Sequence, residues 1–259
     1  MSAGASHALP LAAYIGSAEE QATLSRAEGI LLQRCMHGLG FTGWRPTETQ
    51  PATQWTTGLR IGIVDAELAG KYGYHPPGER TERVARATAS PRQRAEIAAL
   101  TGQKTAEAAT TEPLIGRTIP DGGCEGEAER VLGAGMPAYD NELYGRLGVE
   151  ADKATQRDDR VVGGLRAWSD CMKRAGHLYR NPWEAAAQTW AVVPTATEKA
   201  LATADVACKT ETGLPGIWFA VLGGYEQRLI DRNRAGLEAT RAAVEARLRN
   251  AGAVLASKG

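Results

Sequence analysis

Apolar residues recur along this chain at three- and four-residue spacing, the signature of helices that bury one face. Ser17 and Glu20 have the separation of a capping box, and Leu24, Ala27, Leu31 and Cys35 follow as one stripe. The first helix is therefore predicted from Ser17 to the glycines at 38 and 40. Residues 1–16 are small and aperiodic and read as a flexible arm. Residues 42–62 hold Gly43, Pro46, Pro51 and Gly58 and read as a loop, followed by a helical turn from Asp65 to Tyr72. Pro76, Pro77 and Gly78 break the chain. Ser90 and Pro91 then suit an N-cap and a first helical position, starting a helix to about Leu100. Residues 101–120 are Thr-rich and read as a second long loop, after which Asp121 is expected to cap a helix through Leu132.

Patterning is clearer in the second half. Val161, Leu165, Trp168 and Met172 share a face of a helix of five turns or more ending near Gly176. Asn181 and Pro182 open a short helix predicted to contain both Trp183 and Trp190, and Thr195 with Glu198 repeats the capping-box spacing ahead of Leu201, Ala204 and Cys208. Pro215 and Gly216 are expected to break the chain before a long amphipathic helix that carries Trp218, Leu222, Tyr225, Leu229, Leu237, Val244 and Leu248 to about Ala256. The expected fold is all-α, with seven to nine helices in two similar, disulfide-stabilised helical halves. The expected organisation is a flexible arm over 1–16, one half with long loops over 17–149, and a second half with the long C-terminal helix over 150–259.

A weak internal duplication stands out. Cys35-Met36-His37-Gly38-Leu39-Gly40-Phe41 aligns with Cys171-Met172-Lys173-Arg174-Ala175-Gly176-His177, and a proline follows each copy, Pro46 and Pro182. Both segments have the form of a helix end stopped by a left-handed glycine, with an aromatic ring folding back over the methionine. A further cysteine follows each copy, Cys124 and Cys208. Four cysteines permit three pairings, and the repeat favours Cys35 with Cys124 and Cys171 with Cys208.

Composition narrows the class of protein. With 259 residues, 43% hydrophobic and 23% charged, the chain is an ordinary globular sequence with enough length for a real core. Thirty basic residues balance thirty acidic ones, so no field gathers polyanions and nucleic acid is not an expected partner. Arg outnumbers Lys 23 to 7, a bias associated with GC-rich genomes. No stretch nears the roughly 20 apolar residues that a membrane-spanning helix needs. The N-terminus lacks the early basic residues of an export signal, as the first Lys or Arg is Arg26. The cysteines, each placed at a helix end, nonetheless favour an oxidising compartment, so the chain is expected to act secreted or at the cell surface, its export signal absent from this sequence. The Cys-Met-x3-Gly-aromatic ends, Gly123-Cys124-Glu125-Gly126-Glu127-Ala128 and Ala204-Asp205-Val206-Ala207-Cys208 resemble features of uncharacterised exported proteins and lipoproteins of actinobacteria. That resemblance spans about Ala27 to Asn233, implies a cell-surface location and supplies no activity. No lipobox cysteine is present.

No catalytic constellation emerges. Among four histidines, His7 falls in the arm and His177 aligns with Phe41 as a structural aromatic. The chain has no G-x-S-x-G, no H-E-x-x-H and no glycine-rich phosphate loop with a lysine. Cysteine and histidine spacings exclude a zinc site, and a soft copper set of Cys35, Met36 and His37 with Met172 and His177 is disfavoured because consecutive helical residues point apart. No metal or cofactor is expected. Tyr72, Tyr74 and His75 form an aromatic loop, and with Trp183 and Trp190 they are the candidate binding residues; Trp44 and Trp55 also flank irregular segments. The competing reading is that these rings roof a helical core. The expected function is a non-enzymatic extracytoplasmic binding or accessory protein of the bacterial envelope, meeting an envelope protein, a peptide or a cell-wall component. Two alternatives are a wall-polymer hydrolase with an unidentified carboxylate pair and an interaction protein docking through its C-terminal helix.

Overall fold

A computed structural model describes residues 9–46, 60–75, 90–103 and 118–257. Among them the secondary structure is entirely helical, with ten α-helices and one 3₁₀ turn. The helices are α1 (Ala18–Gly38), α2 (Ala66–Tyr72), α3 (Pro91–Thr101), α4 (Gly123–Leu132), α5 (Leu143–Arg157), α6 (Asp159–Arg174), α7 (Pro182–Ala186), α8 (Ala196–Thr212), α9 (Leu214–Arg232) and α10 (Arg234–Ala256). The all-α class holds, with more helices than expected. Contacts group the described residues into two compact units, each drawn from three stretches of chain: 9–11, 60–75 and 144–233 in the first, 12–46, 90–143 and 234–257 in the second, apart from the undescribed 104–117.

Local capping sets most helix starts. Ser17 accepts from the Glu20 N–H at 3.2 Å while Ser17 N–H donates to Glu20 Oε2 at 2.7 Å, the reciprocal box read from the sequence. Ser90 and Gln93 form a second box, with Pro91 opening α3. Asp121 does not cap α4: Gly122 holds that position with φ +70° and no side-chain bond, and the Asp121 carbonyl instead accepts from Arg130 at 2.9 Å. The reason is steric. Gly102, which ends α3, and Gly123, which opens α4, press backbone to backbone, so a Cβ on either would overlap the other strand of chain. Both also have positive φ.

Helix breaks account for the other departures. Residues 9–16 contain the 3₁₀ turn Pro10–Tyr14, whose Leu11 is buried, so this part of the predicted arm is ordered structure; residues 1–8 lie outside the described residues. The helix expected to end near Gly176 is α6, sixteen residues long, separated from α5 by Asp158, which caps it by accepting from the Arg160 N–H at 3.1 Å. The break expected at Pro215 sits at Gly213, and Pro215 lies inside the first turn of α9, where its missing N–H costs nothing. The single long helix expected to run to about Ala256 is two helices, because Asn233 leaves helical geometry and its side-chain amide donates to the Leu229 carbonyl at 2.8 Å. Trp190 lies beyond α7, which ends at Ala186. Most of the 42–62 and 101–120 loops, with Trp55 and the Pro76-Pro77-Gly78 break, lie outside the described residues.

The duplicated helix ends are real and identical in hydrogen bonding. Phe41 N–H donates to the Met36 carbonyl and Gly40 N–H to that of His37; His177 N–H donates to Met172 and Gly176 N–H to Lys173. That is the two-bond Schellman closure, with Gly40 at φ +97° and Gly176 at φ +87° supplying the left-handed residue. Each methionine is fully buried. Phe41 packs with Met36 as expected, and in the second copy Tyr179 packs against the core around Met172. Cys35 pairs with Cys124 and Cys171 with Cys208, each at a Cα–Cα separation of 5.6 Å, one bridge per unit. The copper set is thereby dissolved: its cysteine is bridged, and its two methionines are shut into different cores.

In the second unit α1 is the axis, packing on α10, α4 and α3. Arg241 of α10 forks onto Glu20 of α1, with Nη2 donating to Oε1 at 2.6 Å and Nη1 to Oε2 at 3.0 Å. This fork, helped by the Ser17 N–H, lowers the Glu20 carboxyl from 4.5 to about 2. The unfolded chain binds that proton at higher pH than the folded one, so the group stabilises the fold above its unfolded value and loses that contribution as pH falls from 4.5 towards 2. Urea unfolding at about pH 6 and about pH 2.5 should show a smaller acid loss in Glu20→Gln than in the unmodified protein. A Gly123→Ala substitution should lower the unfolding free energy by about 2 kcal/mol or more, through positive φ and the overlap with Gly102, whereas Gly145→Ala, in open space, should not.

Candidate functional site

Two places gather chemically interesting side chains, one in each unit. In the first unit α8 is the axis, packing on α2, α6, α7 and α9. Leu201, Asp205, Cys208 and Lys209 follow one another at helical spacing, so two charged residues sit on the buried stripe of α8. Lys209 Nζ donates to Asp205 Oδ2 at 2.9 Å and to the Ile63 carbonyl at 2.7 Å. The Asp205 carboxylate also receives the Trp168 indole N–H at 3.0 Å and the Tyr74 hydroxyl at 3.2 Å. Both members of the pair are within 1% of complete burial.

Glu198, the residue three after the Thr195 cap, extends this knot. Thr195 accepts from the Glu198 N–H at 3.2 Å, but the Glu198 carboxylate turns inward, where Oε1 accepts from Tyr74 N–H at 2.8 Å and Oε2 faces His75 Nε2 at 3.4 Å. Gly73, with φ +61°, lets the chain pass there, since a Cβ at that position would overlap the Glu198 carboxylate. Burial pushes the Asp205 carboxyl up and the Lys209 ammonium down, and their mutual attraction opposes both shifts. Burial, then the neighbouring Asp205 charge, raises the Tyr74 phenol above its ordinary range. Asp205, Lys209 and Glu198 are closed off from solvent, so these groups tie residues 63–75 onto α8 and offer no atom to a substrate.

The sequence-predicted residues divide accordingly. Tyr74 stacks on Trp190 with ring centroids 5.6 Å apart, and His75 joins them through Glu198. Tyr72 lies under the Lys71 ammonium, 5.0 Å from its ring centre. Trp183 is elsewhere in the unit: its indole N–H donates to the Arg60 carbonyl at 3.0 Å and its ring meets Trp218 edge-on at 5.5 Å. All five candidates are half-buried. A third inward carboxylate, Glu226, accepts from the Leu11 N–H at 3.0 Å, and burial raises its carboxyl.

The second place is an open cleft of about 400 Å³ in the second unit. Leu31, Arg34, Cys35 and Leu39 of α1 and its cap form one wall, and Thr118, Pro120 and Glu127 the other. Cys35 reaches it from α1, while its partner Cys124 is completely buried behind it. Arg34 and Glu127 are the two charged residues among the described lining. Sequence reading placed no site here, because Thr118 and Glu127 come to α1 only through the bridge and through the packing of α4 on α1.

Comparison with known protein families, curated proteins and solved structures finds no match. Among the described residues no group of three or more His, Cys, Asp or Glu could hold a metal ion, and no helix is long and apolar enough to cross a membrane.

Removing one member of the buried pair strands the other. Asp205→Asn is expected to destabilise the protein by roughly 3–5 kcal/mol. The Asp205→Asn/Lys209→Met double variant should recover part of that loss in a denaturation cycle, and strict additivity would show that the two charges are not coupled.

Proposed function

We propose that this chain is a non-enzymatic extracytoplasmic binding or accessory protein of the bacterial cell envelope, of the kind its resemblance to exported actinobacterial proteins implies. The supporting observation is that all four cysteines are bridged, one bridge to each unit, with no free thiol. Such bridges persist outside the reducing cytoplasm. The binding half of the reading is supported by the cleft beside Cys35, whose walls are leucine and proline with one guanidinium and one carboxylate. That lining, with Thr118 among its polar members, suits a partner carrying both apolar and polar groups, such as a peptide or a wall component. A hydrolase would need two carboxylates facing a bound sugar; Glu127 is the single acid among the described lining residues, and Asp205, Glu198 and Glu226 point into the core.

The compartment is tested on the protein expressed from its full coding sequence in its own cells. After fractionation, alkylation without reductant should label no cysteine, and the protein should be found outside the cytoplasm; four alkylated cysteines in a cytoplasmic fraction would overturn the reading. Binding is tested with anilinonaphthalene sulfonate, an apolar probe carrying one anion. Its fluorescence should rise with the native protein, and Thr118→Trp, which fills the cleft, should abolish the rise. An undiminished signal would remove the cleft as the binding site.

A further inference from the structure

The two disulfides share a helix-end origin, yet they differ in exposure and in where the second cysteine sits in its helix. Cys171 and Cys208 are both nearly inaccessible, at 6% and 3% exposure. Cys171 lies in the last turn of α6 and Cys208 four residues before the end of α8, so both sulfurs sit towards the negative ends of their helices. Glu211, which is paired with Arg174, places Oε2 3.5 Å from Cys171 Sγ and so occupies one approach to that sulfur.

Cys35 and Cys124 are arranged otherwise. Cys35 is half-buried and lines the open cleft, whose lining also holds Glu127 and Arg34, a cation that donates to Ser257 Oγ at 3.3 Å and would attract an anion. Its own position, in the last turn of α1, disfavours a thiolate on Cys35. Cys124 is the second residue of α4, where the positive helix end favours a thiolate. The bridge is therefore polarised: the accessible sulfur is the poorer leaving group and the buried one the better.

We propose that Cys35–Cys124 is an exchangeable disulfide that takes up a small-molecule thiol covalently on Cys35, while Cys171–Cys208 is a permanent staple. In the first step the thiolate of the small molecule, entering by the cleft, forms a bond to Cys35 Sγ as the Cys35–Cys124 bond breaks, and the electron pair leaves on Cys124 Sγ. A second molecule of the same thiol then attacks the small-molecule sulfur of the mixed disulfide and releases Cys35 as thiolate. The protein disulfide is reduced to two thiols, and two small thiols, each having given up its proton, are oxidised to one small-molecule disulfide. The cleft thus becomes a site of covalent modification, a role that the binding reading does not require.

The test incubates the native full chain with glutathione, quenches with acid and maps the products by mass spectrometry. Glutathione is expected on Cys35 with Cys124 free, while Cys171–Cys208 opens at least about tenfold more slowly. Glutathione found first on Cys124, equal opening of the two bridges, earlier opening of Cys171–Cys208, or no opening short of unfolding would each overturn the proposal. Arg34→Glu should slow the reaction with anionic glutathione several-fold more than that with cysteamine, whose ammonium offsets its thiolate, and Thr118→Trp should slow both; equal slowing of both thiols by Arg34→Glu would remove Arg34 from the mechanism. The proposal shares the cysteine pairing with the functional reading above, and a thiol-free control separates the two. Four labelled cysteines in the control would sink the pairing itself, whereas closed bridges in the control without selective opening would sink the exchange alone.

Discussion

The constraint on which both units depend is a helix end fixed twice over, once by a left-handed glycine and once by a disulfide. Gly40 and Gly176 let the chain turn back so that the last carbonyls of α1 and α6 find donors. The cysteine one turn earlier then joins that end to a second helix, α4 in one unit and α8 in the other. Closing loops of 89 and 37 residues restricts the unfolded chain, an effect of about 3–5 kcal/mol for loops of this order in the chain-entropy view. The methionine beside each cysteine becomes the fully buried centre of its local core, so the covalent link and the apolar packing act on the same turn of helix.

Around this shared device the units solve their packing differently. The second unit gathers small and aliphatic residues, with Ala27, Leu132, Ala251 and Val254 forming one cluster and Met36, Ala95, Ala99 and Cys124 another. Close approach there comes from glycine and alanine. The first unit carries its charges inside, and the Asp205–Lys209 pair is tolerable only because Tyr74, Trp168 and the Ile63 carbonyl complete its hydrogen bonds. A pair of apolar residues would fill the same space with less desolvation. What the charges add is direction, since the Ile63 carbonyl and the Tyr74 hydroxyl meet them in only one placement of α2 and its flanking turns.

What the sequence disclosed follows the range of the forces involved. The caps at Ser17 and Ser90 and the glycine stops at 40 and 176 act within a single turn, and all were legible. The favoured pairing of the cysteines was legible too, because the duplication located corresponding helix ends. The breaks at Asp158 and Asn233 were hidden because the apolar pattern runs on through them: Leu229 and Leu237 stand eight residues apart, a spacing that an unbroken helix also has. Asp121 misled for another reason, since a good capping residue is irrelevant where two backbones must touch at Gly102 and Gly123. The buried pair was hidden by its own spacing, as acid and base four apart usually mark a solvated face. The available signal was that Leu201 and Cys208 share their stripe, which leaves Asp205 and Lys209 no route to water.

The same duplication explains why one copy keeps an open approach and the other does not. The two cysteines that end α1 and α6 are equivalent in sequence and in hydrogen bonding, so any difference must come from their partners. Cys208 lies late in α8, the helix on which α2, α6, α7 and α9 all pack, and the bridge to it is enclosed from several sides. Cys124 lies at the beginning of α4, where the chain has only just entered the helix from Pro120 and Gly122, and among the described residues the cleft beside its partner is lined on that side by Thr118, Pro120 and Glu127. A disulfide at a helix start is thus left with an open flank that one at a helix end in the centre of a bundle lacks. The chemical character of each bridge is accordingly set by where its second cysteine enters a helix, not by the motif that supplies the first.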